Sequence, residues 1–196
     1  MMADLLGLRY IATDRPVEKI DNDLKPGDLT LVAHTHSTYI YENPRALPRV
    51  LFAFDWLPAN FERMVKDGHW PYFDPRQIVL LRGKQPLMST LQPRPVSLTQ
   101  ASTALQVYEN TEVQVSVNTP RAGFLVLNDV WHPWWFGTVD GKPADIFRAN
   151  VLFRAIQVPA GKHIVRFEFK PVEGAVKQIM TEFYHLPVFG IEAQGS

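Results

Sequence analysis

A mainly β architecture is what this sequence predicts: an antiparallel β-sandwich of jelly-roll-like type, with a small mixed α/β amino-terminal portion and a carboxy-terminal amphipathic helix. Three observations point there. Sixteen prolines among 196 residues, spread from Pro16 to Pro187, leave few windows for helices, because proline removes a backbone donor and clashes in a helix interior. Val113, Val115 and Val117 alternate with Glu112, Gln114 and Ser116, and Val165, Phe167 and Phe169 with Arg166 and Glu168. A period of two is the mark of a half-buried strand. Turn-forming residues separate such runs, notably Asp140-Gly141 and Pro159-Ala160-Gly161.

From the amino terminus, strands are expected at 29–33, 38–41 and 49–54, where β-branched and aromatic residues gather between Gly, Pro and Asn. Between Pro58 and Gly68, Phe61, Met64 and Val65 share a helical face, with proline tolerated in the first turn and glycine suited to the stop. A strand at 77–81 follows. Gln92-Pro93-Arg94-Pro95 marks a boundary between a mixed portion, 1–95, and a β-sandwich portion, 96–196, packed with it as one unit. Strands come next at 103–108 and 111–118. Phe124-Leu125-Val126-Leu127 is apolar throughout, as in a central strand covered on both faces. The Asp140-Gly141 turn should pair 135–139 with 142–148, and the second turn should link 152–158 to 162–170, giving an antiparallel meander. Val172, Ala175, Val176, Ile179, Met180 and Phe183 recur at helical spacing, and this helix, like the first, is expected to lie against a sheet.

Twenty basic residues balance twenty acidic ones, which argues against phosphate backbones or anionic lipid as partners, since both select excess positive charge. No nucleic-acid partner is expected. With no cysteine, a thiol nucleophile, a Cys-ligated zinc and an Fe–S centre are excluded. The opening ten residues have neither a basic segment nor a long apolar one, so no signal peptide is expected there. On its own the chain would be cytoplasmic.

Chemistry-bearing motifs are sparse. There is no phosphate-binding loop, dinucleotide fingerprint or nucleophile elbow, and no cofactor is expected. Only His34 and His36 are spaced to share a strand face, and as a metal pair they lack a third ligand nearby. Asp129, Asp140 and His132 would serve a hydrolase if two of them converged in one cleft, although a tight turn also asks for Asp140. The densest feature is Val130-Trp131-His132-Pro133-Trp134-Trp135-Phe136, which holds three of the five tryptophans. Indole is a flat apolar plate with one polar edge, suited to stacking on a sugar ring and equally to filling a core. Candidate ligand contacts are Trp131, His132, Trp134, Trp135, Asp140 and Arg154.

Tyr39-Ile40-Tyr41-Glu42-Asn43-Pro44-Arg45-Ala46-Leu47-Pro48-Arg49-Val50-Leu51-Phe52-Ala53-Phe54 resembles a segment of the bacterial membrane protein YfhO family, polytopic glycosyltransferase-like proteins. The order and spacing of Gly123-Phe124-Leu125-Val126-Leu127-Asn128-Asp129, Pro133-Trp134-Trp135, Val139-Asp140-Gly141-Lys142, Arg148-Ala149-Asn150, Phe153-Arg154-Ala155, Val158-Pro159-Ala160-Gly161-Lys162-His163 and Val165-Arg166-Phe167 are similar to that family's carboxy-terminal region. The resemblance implies an extracytoplasmic, noncatalytic domain of a longer membrane protein. It would contact the parent's membrane helices and assist binding of a glycan or lipid-linked sugar for glycosyl transfer; the alternative is a structural or protein-interaction β-domain with no sugar ligand. The family commonly reads Pro-Gly-Trp where this chain has Pro133-Trp134-Trp135, and many relatives continue into a membrane helix where Val172 to Phe183 is charged and amphipathic.

Overall fold

Strands take 45% of the chain and helices 15% in the computed structural model, which describes residues 2–25, 27–82 and 100–184. The mainly β expectation holds. In chain order the first half contains α1 (Met2–Leu5), β1 (Tyr10–Thr13), β2 (Thr30–His34), β3 (Tyr39–Glu42), β4 (Val50–Ala53), β5 (Asp55–Pro58), α2 (Phe61–Asp67) and β6 (Ile78–Arg82). The second contains β7 (Ser102–Tyr108), β8 (Glu112–Thr119), β9 (Gly123–Leu127), β10 (Trp135–Val139), β11 (Lys142–Ala144), β12 (Ile146–Ala149), β13 (Phe153–Val158), β14 (Gly161–Phe169) and α3 (Pro171–Tyr184). The Gln92–Pro95 boundary (92–95) lies outside the described residues.

Among the described residues the strands form three sheets. One is small and antiparallel, ordered β1-β3-β2; the second is antiparallel with five strands, β11-β10-β14-β8-β7; the third has six, β4-β9-β13-β12-β6-β5, and is mixed because β5 runs parallel to β6. The six-stranded sheet draws strands from both halves of the chain. On one face its Phe52, Leu125, Leu127, Ile156 and Val158 meet Val113, Val115, Val117, Val165 and Phe167 of the five-stranded sheet in a single apolar cluster. The other face carries Ala53, Val126, Ala149 and Ala155 into a second cluster with Leu5, Leu47, Phe61 and Met64. Covered twice, β9 is buried along its whole length, as its unbroken apolar run predicts. In β8 and β14 only alternate residues are buried, because one face of their sheet stays open.

Local chemistry sets the ends of α2. The Asn60 side chain accepts from the Arg63 N–H at 2.9 Å, capping the first turn, and Gly68 stops the helix at φ +68°. Phe61 and Met64 are buried, whereas Val65 faces solvent. The three-residue loop between β12 and β13, Asn150 to Leu152, holds Asn150 and Val151 at positive φ, a conformation that asparagine tolerates and a β-branched residue seldom adopts. Asn150 also exchanges hydrogen bonds with β6: its N–H donates to the Leu80 carbonyl, and its side-chain oxygen accepts from the Leu80 N–H, each at 2.9 Å.

Three expectations are corrected. The segment 142–148 does not pair as a unit with 135–139: β11 stays beside β10, while β12 crosses to the other sheet and pairs with β13 and β6. Nor is the second half a meander. The turn at Ala160-Gly161 carries the chain from one sheet to the other, so β13 pairs with β9 and β12, and β14 with β8 and β10. A hairpin would have placed Ile156 and Phe167 in one layer, whereas the crossover lets them face each other across the core. The third concerns α3, whose apolar residues were expected on a sheet. Val172, Val176, Ile179 and Met180 are instead 52–76% exposed; the side chain of Phe183 lies outside the described residues.

Candidate functional site

Arg154 is the least expected of the buried residues, 1% exposed at the start of β13. Its place in the strand alternation puts it on the same face as Ile156 and Val158, so the side chain enters the space between the two larger sheets. There the guanidinium lies 3.9 Å from the Trp135 ring centroid and 5.5 Å from that of Phe167. It donates to the Val130 carbonyl at 2.7 Å and to Asp129 at 3.4 Å, while its Nε–H has no partner among the described residues. Burial pushes its pKa down to about 10, against the pull of the Asp129 carboxylate, so it stays charged at neutral pH. Asp129 in turn accepts from Arg49 at 2.6 Å and from the Tyr108 hydroxyl at 3.1 Å, and Arg49 donates to that hydroxyl at 2.7 Å. Burial first, then the Asp129 charge, raises the Tyr108 phenol. Two guanidiniums, a phenol and one carboxylate thus close this end of the inner core.

Asp140 sits at the other end. The β10–β14 register runs from Trp135 opposite Phe169 to Val139 opposite Val165, and Asp140 follows on the turn. Its carboxylate accepts from the Ile164 N–H at 2.8 Å and pairs with His163 Nδ1 at 2.7 Å; His163 Nε2 lies 3.1 Å from the Ala160 carbonyl. With an acceptor at each nitrogen the imidazolium is favoured, and the hydrogen bond to Asp140 raises the His163 pKa above its ordinary value. The same bond, with that from Ile164, lowers the Asp140 carboxyl. A raised histidine stabilises the fold in full below its unfolded value of about 6.5 and loses that contribution as pH rises through the folded value. The lowered carboxylate contributes above about pH 3.9 and loses its share as pH falls. We therefore expect the stability difference between the parent and His163→Gln in pH-resolved urea unfolding to be greatest between about pH 4 and 6.5. A difference that stays flat up to pH 9 would contradict this pairing.

The remaining sequence candidates are engaged inside the fold. Trp135 covers Arg154 and packs on the inner core. Trp134 is covered by α3: a Cβ built on Gly174 would stand 2.5 Å from its Cδ1 and 2.6 Å from its Cβ, and its indole N–H donates to Gln178 at 3.2 Å. His132 packs edge-on against Trp134 and Phe169 and accepts from the Trp134 N–H. Trp131, at half burial, has the Arg148 guanidinium 5.8 Å from its ring centroid. Trp135 and Arg154 meet, as do His132 and Trp134, but Asp140 is not brought to any of them. Asp129, His132 and Asp140 do not converge in one cleft. His34 stacks on Tyr39 at 4.0 Å, and among the described residues no three metal-ligating side chains gather.

Among the described residues, hollows open on the surface beside α2 and on the five-stranded sheet. The larger, about 750 Å³, lies beside α2 between Pro58, Arg63, Met64 and His69, with Arg63 held by Asp67. The second, about 380 Å³, lies on the outer face of the five-stranded sheet against Ser102, Ala104, Ser116, Asn118, Lys162 and Ile164, with Asp140 at its edge. None of these strand residues was singled out from sequence, because an outward Ser or Asn on a half-buried strand carries no signal of its own. Arg49 and Tyr108 were missed because they reach Asp129 from 80 and 21 residues away. Among the described residues, no helix is long and apolar enough to cross a membrane. No protein-family model, curated protein or solved structure matches the chain.

Proposed function

We propose that the chain is a noncatalytic β-domain that docks on other protein, and that it docks through α3. The orientation of that helix carries the reading. It seats on the five-stranded sheet by its narrow polar side, Gly174 on Trp134 and Lys177 near Phe136, and turns Val172, Val176, Ile179 and Met180 to water. A continuous outward apolar stripe favours an interface. The resemblance of 123–167 to the YfhO family supports an extracytoplasmic setting, with the parent's membrane helices as the partner. The inner core shared by the five- and six-stranded sheets supports a β-sandwich of jelly-roll-like order.

With benzoylphenylalanine in place of Ile179, irradiation of source-cell membranes is expected to give an adduct whose partner peptide is an apolar membrane-helix segment. Adding Val172→Glu and Val176→Glu should remove it while moving folding stability by no more than about 0.5 kcal/mol, as for exposed positions generally. An adduct no stronger than that from the same probe at Arg63 would sink the reading.

A second reading, that the domain holds a saccharide, is favoured by the hollow on the outer sheet face. Its hydroxyl and amide side chains both donate and accept, as sugar hydroxyls do.

A further inference from the structure

Resting on that saccharide reading, we infer that the hollow takes an acidic sugar, a hexuronate, with Lys162 meeting its carboxylate. Strand register builds the floor. Ser102 is opposite Asn118 and Asn118 opposite Lys162, forming one row across β7, β8 and β14; Ala104, Ser116 and Ile164 form the next. Because Val113, Val115 and Val117 fill the inner face of β8, the intervening residues point outward. Short side chains at Ser102, Ala104 and Ser116 leave a trough of about 380 Å³, near the lower bound of small-molecule sites, ~300–1,000 Å³.

The lining suits one sugar ring. Ile164, 39% exposed, and Ala104 offer an apolar patch for ring C–H groups. Ser102 and Asn118 hold polar groups that engage no partner among the described residues. Charge supplies the class. Lys162 forms no ion pair among the described residues, so one positive charge at the rim is uncompensated. Asp140, the carboxylate at the edge, is already held by the Ile164 N–H and His163 and repels an incoming anion less than a free carboxylate would. A single lysine with no arginine beside it in the lining is a point charge without the planar fork that recognises phosphate bidentately. It fits a monoanion. This surface is separate from the α3 stripe, so either can exist without the other.

The test is ¹⁵N amide NMR of the full chain titrated with glucuronate, galacturonate and mannuronate, with glucose as the neutral sugar and acetate as the carboxylate alone. At least one uronate is expected to shift the amides of Ser102, Ser116, Asn118 and Lys162, binding about two- to fivefold more tightly than glucose, the worth of one exposed ion pair. Lys162→Gln should erase that preference, and Lys142→Gln, outside the hollow, should keep it. If glucose shifts the same amides as strongly and Lys162→Gln changes nothing, the acidic-sugar inference fails while the saccharide reading stands. If acetate matches the uronates, or if no sugar moves these amides, both fail.

Discussion

Arg154→Ala is expected to cost about 3–5 kcal/mol of folding stability, the scale for removing one member of a buried charged pair. The side chain fills the space under Trp135 and beside Phe167, satisfies the Val130 carbonyl and faces Asp129. Truncation leaves a cavity between two aromatic rings, a carbonyl without its donor and Asp129 with less positive charge. Arg154→Met separates these effects. Asp129 keeps Arg49 and Tyr108, so methionine, similar in length and apolar, should lose far less, within about 1 kcal/mol of the parent, because a well-packed apolar replacement for a buried ion often costs little. Urea unfolding followed by circular dichroism and tryptophan fluorescence reads both. An alanine variant within 1 kcal/mol of the parent would show that the guanidinium is not a structural strut.

The second large effect is expected at Gly174, where a leucine should cost about 2–3 kcal/mol and lift α3 from its seat, as overpacking of a tight contact does. Even a methyl group there has no room beside the Trp134 ring. Lifting the helix breaks the Trp134–Gln178 hydrogen bond and wets the indole, so the emission should move to the red. The complementary double variant, Trp134→Gly with Gly174→Leu, moves the bulk from one side of the contact to the other. It should recover part of the loss, a coupling that a double-mutant cycle measures directly. If Gly174→Leu leaves both emission and stability unchanged, α3 does not seat on Trp134. With no room for a Cβ at residue 174, the Trp134 indole and the helical glycine form a matched pair.

What the sequence makes legible is burial that repeats along one element. Val113, Val115 and Val117 announce a strand with one wet face, Phe124 to Leu127 a strand with none, and Pro58 to Gly68 a helix with both ends marked. Pairing is different, because a strand's hydropathy does not say which sheet it joins. Ile146 to Ala149 reads as the continuation of Lys142 to Ala144 until register places the two in separate sheets. Tyr10–Thr13, half exposed throughout, and Asp55–Pro58, which starts one residue after β4 and ends on proline, are too short and irregular to stand out. The apolar stripe of α3 is visible in sequence, but its direction depends on Gly174 and Trp134, forty residues apart. The Arg154 cluster is assembled from four separated segments by packing alone.

The place of β14 matters for how the chain is made. It is the last strand among the described residues, yet it is interior, between β10 and β8, and it supplies Val165 and Phe167 to the shared core. Synthesis from the amino terminus therefore leaves β8 and β10 with open edges until residue 169 has emerged. During that interval the valines of β8 and the face of Leu125 and Ile156 lack half their cover, the condition under which unpaired edges join other chains. A chain cut off before β14 is complete is therefore not a trimmed domain but a template for aggregation.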